Sequence, residues 1–213
     1  DPDEVLLLAV SKTQPAEAIR EASEAGLHDF GENYLQEALE KQAELADLPL
    51  VWHFIGPIQS NKTKLIAEHF DWVHSVDRLK IAQRLSNLRP DHLAPLNLCL
   101  QVNVSGEASK SGCEPQEVHE LAQAIAALPR LRLRGLMAIP EPTGDPAEQR
   151  AAFARLRQLQ TELRLNLDTL SMGMSQDLEA AIAEGATWVR IGTALFGARA
   201  YPSQVAADAP PHD

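Results

Sequence analysis

Eight short apolar runs, each trailed by a segment of helical period, constrain this chain more than any other feature. They fall at residues 5–10, 28–30, 52–56, 71–75, 96–104, 133–139, 167–172 and 188–191. Short runs with little polar alternation are the pattern of strands buried on both faces, as in parallel sheets, where a helix must carry the chain back between neighbours. The first run leads to a helical segment at 16–25 that stops at Gly26. The segment 34–46 places Tyr34, Leu35, Ala38, Leu39 and Leu45 largely on one face. Further helical segments cover 62–70, then 78–88 with Asp77 as a cap, then a stretch carrying Val118, Leu121, Ala122, Ile125 and Leu128. Asp145-Pro146-Ala147-Glu148 reads as a helix start with a cap, a first-turn proline and a capping acid. Ser175 and Asp177 open a helix running to Glu184.

Eight strand–helix pairs predict an α/β chain folded as a single parallel (β/α)8 barrel of the TIM type. At 213 residues it is lean beside the ~250 typical of such barrels, so an open doubly wound sheet is the alternative. The alternation runs without a linker, giving one domain over residues 1–202. Ala, Asp and Pro dominate 203–213, which reads as a disordered tail.

Charge narrows the partners. With 19 Lys+Arg against 30 Asp+Glu the formal charge is -11, a field that repels nucleic acid and anionic membranes. A small anion remains compatible, because a few backbone amides and one cation outweigh distant charge locally. Cys99 and Cys113 form neither a disulfide framework nor a zinc pattern, so a reducing, cytoplasmic setting is expected. No apolar run approaches the ~20 residues of a membrane span. The chain opens Asp1-Pro2-Asp3-Glu4 without a Met, so sequence upstream is expected in the natural protein. The seven histidines show no metal-ligand spacing, and His53 and His74, on neighbouring strands, read as core or rim residues.

In a β/α barrel, reactive groups lie just after the strands. The first strand delivers Lys12, whose stem in apolar surroundings favours the neutral amine needed for Schiff-base formation; a solvated loop lysine is the alternative. Glu32-Asn33, Gln59 to Lys62, Ser75, Asp77, Asn103, Ser105 and Lys110-Ser111-Gly112 are polar groups that equally suit caps and turns. Ser171-Met172-Gly173-Met174-Ser175 and Arg190-Ile191-Gly192-Thr193 are small-residue turns after the last two strands, where this fold holds phosphate; tight turns alone would also explain the glycines. Arg190, inside an apolar strand, needs an acceptor: a buried carboxylate or a ligand's ring nitrogen. Lysine, phosphate turns and central arginine together meet the needs of pyridoxal 5'-phosphate.

Several segments also resemble a known family: Ala9-Val10-Ser11-Lys12-Thr13, Phe30-Gly31-Glu32-Asn33-Tyr34, Trp52 to Pro57 with Ser60-Asn61-Lys62, Ser109 to Gly112, Arg134 to Met137, Leu170 to Ser175 and Val189 to Arg199. Together they closely resemble the pyridoxal phosphate homeostasis protein family over nearly the whole chain. The resemblance implies a barrel like the alanine racemase N-terminal domain, with Lys12 as the Schiff-base lysine. Ser175, Gly192 and Thr193 match phosphate-binding positions, and Arg190 matches the arginine facing the pyridine nitrogen. Asn33, Met174 and Lys110 fall in motifs near the ligand. Lys110 is a candidate second amine during transfer, with a surface lysine as the other reading. Two departures stand out: family members carry a helix before the first strand, and residues 163–167 look short for a helix-to-strand connection.

Alanine racemases add a second β domain that supplies a tyrosine base, and this chain carries only Tyr34 and Tyr201. The expectation is therefore a carrier, a monomer without catalytic residues or a metal, that holds pyridoxal phosphate, releases it to apo-enzymes and so serves vitamin B6 homeostasis and amino-acid metabolism. A pyridoxal phosphate-dependent racemase is the alternative. A Schiff-base aldolase would explain Lys12 and leave Arg190 idle.

Overall fold

The computed structural model describes residues 1–106 and 111–197. Among them, β1 (Leu6–Val10), β2 (Asp29–Glu32), β3 (Val51–Phe54), β4 (Trp72–Val76), β5 (Leu96–Gln101), β6 (Leu131–Met137), β7 (Thr169–Ser171) and β8 (Trp188–Ile191) pair in chain order. Every pairing is parallel, and β8 returns to β1 with Leu6 beside Trp188 and Ala9 beside Ile191. This is the closed barrel that the eightfold alternation predicts. Closure rules out the open doubly wound sheet. The helices α1 (Ala16–Glu24), α2 (Leu35–Glu44), α3 (Thr63–His69), α4 (Leu79–Leu88), α5 (Val118–Ala126), α6 (Pro146–Leu163), α7 (Leu178–Ala183) and α8 (Thr193–Phe196) follow the strands one for one.

Alternation along each strand divides the core in two. Ala9, Phe30, Phe54, Val73 and Leu98 face outward and pack with helix residues such as Ile19, Ala38, Ile66 and Leu85. Leu8, Ile55, Trp72, Cys99, Met137 and Trp188 fill the barrel interior. Polar residues share that interior: His53, His74 and Ser171 are wholly buried, and Arg190 nearly so. Arg134 closes one end of it. Its guanidinium lies 4.7 Å from the centre of the Trp72 ring and pairs with Asp168, which it holds below the usual carboxylate range.

The departures from the sequence reading have local causes. The fifth strand ends at Gln101 rather than 104, because Val102 bridges to Cys113 and Asn103 donates to the Cys113 carbonyl, turning the chain out of the barrel. The seventh begins at Thr169, after Arg164 ends α6 in the left-handed region at φ 54. That reversal supplies the connection that looked too short. Tyr34 is 55% exposed and precedes α2, so it is not part of the apolar face. Asp77 does not cap α4; its carboxylate accepts from the Gly112 N–H at 3.1 Å and ties two loops together. Asp145 does cap α6, accepting from Ala147, with Pro146 in the first turn. Glu148 accepts from the Thr143 hydroxyl instead of completing the cap. A single 3-10 turn, Pro2–Glu4, precedes β1. The expected tail and the domain limit at 202 lie outside the described residues. No helix among the described residues is long and apolar enough to cross a membrane.

Candidate functional site

Lys12 sits half-buried in the turn that leaves β1, and a buried ionic cluster grips the residues on either side of it. The Lys41 ammonium, on α2, donates to the Ser11 carbonyl at 2.8 Å, to Glu32 at 2.7 Å and to Glu37 at 2.6 Å. The Ser11 hydroxyl donates to Glu32 at 2.9 Å, and the Thr13 N–H donates to Glu37. Thr13 holds a left-handed φ of 64, a conformation that costs a non-glycine residue energy and persists where neighbours determine it. Glu32 is wholly buried, and its desolvation raises the carboxyl above the ordinary range although Lys41 pulls it down. Sequence reasoning missed this cluster. The signal was available in Lys41, which stands three residues after Ala38 and four before Leu45 on the buried face of α2.

The β1–β8 ladder brings the second group of candidates beside this turn. Arg190 is 4% exposed, and its acceptors among the described residues are all neutral: the Ser171 carbonyl and hydroxyl at 3.0 and 2.8 Å from Nη1, and the Ala138 carbonyl at 3.0 Å from Nη2. A carboxylate partner, the plainer of the two sequence readings, is not what the guanidinium meets. Burial pushes Arg190 down to about 10, against the upward pull of Asp177 and Cys99, so it stays charged at neutral pH. Its backbone N–H donates to the Gly173 carbonyl, which ties the turn after β7 to β8.

Those turns are built for small residues. Gly173 has φ 104, and a Cβ there would lie 2.6 Å from that of Ala181. Gly192 passes β1 so closely that a Cβ would lie 3.3 Å from the Val10 carbonyl oxygen. Ser175 and Thr193 are exposed, Thr193 as the first residue of α8, whose opening N–H groups lack intrahelical acceptors. Met174 is 38% exposed, and its N–H donates to Asp177 at 2.7 Å.

Asn33, after β2, lines a separate part of the mouth. A cavity of about 340 Å³ opens there among Asn33, Ile55, Ser75, Asp77 and Gln101. The Asn33 Oδ1 is buried with no hydrogen-bond partner among the described residues, an acceptor left for a ligand or water. Neither Lys12 nor Arg190 lines this cavity, so the candidates form two neighbouring groups rather than one ring. Ser75 and Ser105 serve local structure, donating to the Gly56 carbonyl and accepting from the Glu141 N–H. Lys110 lies outside the described residues. A second cavity, of about 360 Å³, lies between Ser105, Glu141, Glu148 and Asp177, away from the lysine turn.

Comparison with known proteins assigns the family. The model of the alanine racemase N-terminal domain matches residues 3–200. A pyridoxal phosphate homeostasis protein of Pseudomonas aeruginosa is 78% identical over 201 residues, 94% of this chain and 87% of its own. The chain belongs to the pyridoxal phosphate homeostasis protein family. A protein of the same name as the Pseudomonas relative, from Escherichia coli K12, is 56% identical over 94% of this chain and 88% of its own. Among solved structures, PipY of Synechococcus elongatus with PLP bound is 46% identical, covers 92% of this chain and 94% of its own, and superposes with a TM-score of 0.86. Alanine racemase of Corynebacterium glutamicum, 18% identical with a TM-score of 0.71, shares the barrel fold over 57% of its own length.

Proposed function

We propose that this chain binds pyridoxal 5'-phosphate at the barrel mouth and holds it in reserve for apo-enzymes, a cytoplasmic buffer and carrier rather than an enzyme. The observation that carries this reading is Arg190, a charged, buried guanidinium beside the lysine turn whose hydrogen-bond acceptors among the described residues are all neutral. The names of the Pseudomonas and Escherichia relatives, and PLP in the PipY structure, support the same ligand.

The residues present fit that group. Lys12 is the amine. Ser175, Thr193 and the N–H groups opening α8 suit a phosphate, and Gly173 and Gly192 keep its approach clear. Arg190 suits a ring nitrogen, and Asn33 keeps an unused acceptor nearby. When bound, the cofactor supplies an aldehyde that condenses with a lysine amine. Arg190 can only donate, so it leaves a ring nitrogen unprotonated and weakens the ring as an electron sink, which favours storage over amino-acid chemistry. Cys99 and Cys113 are free thiols that burial pushes up to about 12, in keeping with a reducing compartment.

The test is the visible absorption spectrum of the chain and of Lys12→Ala with added pyridoxal phosphate, followed by borohydride reduction and peptide mapping. The expected result is a visible band in the parent alone, lost on reduction, with the label on Lys12. No band in the parent would sink the cofactor reading, and a band surviving in Lys12→Ala would move the attachment to another lysine, Lys110 first. Sustained racemisation of an amino acid by the loaded protein would overturn the carrier role.

A further inference from the structure

The barrel interior holds two histidines that the proposed function does not use. They lie in a continuous line of buried hydrogen bonds. Arg190 Nη1 reaches the Ser171 Oγ at 2.8 Å, and the Ser171 Oγ lies 2.7 Å from His74 Nδ1. His74 Nε2 lies 2.8 Å from His53 Nδ1, and His53 Nε2 lies 2.8 Å from Asp29 Oδ1. Asp29 begins β2 at the end of the barrel opposite the mouth, with its side chain 30% exposed.

Both ends of the line have fixed polarity, and with both rings neutral that determines every proton between them. The Asp29 carboxylate can only accept, so His53 Nε2 must carry a hydrogen. A neutral imidazole has one N–H, so His53 Nδ1 is bare and His74 Nε2 must donate to it. His74 Nδ1 is then bare as well, and the Ser171 hydroxyl gives it its single proton. The lone pairs of Ser171 are thereby turned toward Arg190, which can only donate. With both rings neutral, reversing any one of the three histidine bonds sets two lone pairs against each other.

The surroundings favour this arrangement. Both rings are wholly buried, and burial holds both below the ordinary histidine value. Arg190 and His53 push His74 further down, whereas Asp29 and Asp71 pull His53 partly back. The His53 ring is stacked on Trp72 at 5.4 Å and meets Trp188 edge-on at 5.0 Å, so it has no room to turn.

We propose that His53 and His74 are positioning residues for Arg190: neutral, each protonated on Nε2, they fix the guanidinium at the barrel mouth from a carboxylate at the opposite end. The line ends in a group with no free acceptor, so it orients Arg190 and delivers no proton to the site. This rests on the reading of Arg190 as the ring-nitrogen partner.

The experiment is long-range proton–nitrogen NMR on the whole 15N-labelled chain without cofactor, for the parent, Asp29→Asn and Asp29→Leu. In the parent, both rings should show a bare Nδ1 and a protonated Nε2. A proton on Nδ1 of either ring, or a charged ring, overturns the proposal. Asparagine keeps an acceptor oxygen and should preserve the pattern. Leucine removes it and should mix the tautomers and speed hydrogen exchange at the Arg190 side chain by roughly five- to tenfold, the worth of one net hydrogen bond. Exchange unchanged in Asp29→Leu overturns the positioning role. With pyridoxal phosphate added, Asp29→Leu should bind more weakly by a similar factor and Asp29→Asn should match the parent. Because the NMR readouts need no cofactor, a parent that binds none would overturn the functional reading alone, and a wrong tautomer would overturn this one alone.

Discussion

Two residues decide much of the mouth's geometry, and each makes a measurable claim. Gly173 combines φ 104 with contact against Ala181, whereas Gly26 has the same φ with nothing within 4 Å of a Cβ. Alanine at Gly26 therefore costs backbone strain alone, about 1 kcal/mol, and alanine at Gly173 adds overpacking, for a total of about 2–4 kcal/mol. Urea denaturation of the two variants should show that difference; equal losses would mean that α7 moves aside freely. Lys41 neutralises two carboxylates in a buried place, so Lys41→Met should destabilise by about 3–5 kcal/mol at neutral pH, mostly by stranding Glu32. The loss should shrink in acid, where a protonated Glu32 no longer needs the ammonium. A loss independent of pH would show that packing of the lysine stem dominates.

At the scale of elements, the joints between helices and strands rest on arginines that no periodicity reveals. Arg89 ends α4 at 5% exposure and gathers three carbonyls: Ala67 at 2.8 Å and Phe70 at 2.6 Å through Nη1, and Ala94 through Nε and Nη2 at 3.0 and 2.8 Å. It thereby locks the exit of α3 to the loop entering β5. A lysine is a point donor without the fork, so Arg89→Lys should cost about 2 kcal/mol and lower the melting temperature by roughly 4–8 °C, read by calorimetry. An unchanged melting temperature would mean that water satisfies the freed carbonyls. Arg150 and Arg157 of α6 similarly hold Glu184, the residue ending α7, at 2.9 and 2.6 Å.

For the molecule as a whole, the buried histidines set how stability responds to acid. Unfolded, both rings titrate near ~6.5; folded, both are held lower. Below about pH 6.5 the unfolded chain thus binds more protons, and stability falls toward the folded values by up to ~1.4 kcal/mol per pH unit for each ring. Glu32 acts in the opposite sense. Its raised carboxyl takes a proton first in the folded state, so stability is recovered between its folded value and the ordinary ~4.3. The urea midpoint should therefore drop as pH is lowered from neutrality to about 5.5, and His74→Gln should roughly halve the slope. A flat profile in the parent would mean that the rings do not differ between the two states.

The sequence by itself determined the order of strands and helices and singled out candidate residues for the mouth. Eight buried-strand runs with returning helices admit few topologies, and Lys12, Arg190, Gly173 and Gly192 stood out as candidates because barrels place function after strands and these types are out of keeping with an apolar run or an ordinary turn. Caps and strand ends were legible where the partner is local, as at Asp145, and not where it is distant, as with Asp77 and Gly112. Only the tertiary structure decided that the strands close, that Arg190 meets neutral acceptors, that Lys41 folds back onto Glu32 and Ser11, and that Asp29, His53, His74 and Ser171 form one line. Those contacts join residues on different strands and helices. Hydropathy period reports which face a side chain takes, whereas its partner across the barrel follows from closure and register, which no local stretch of chain contains.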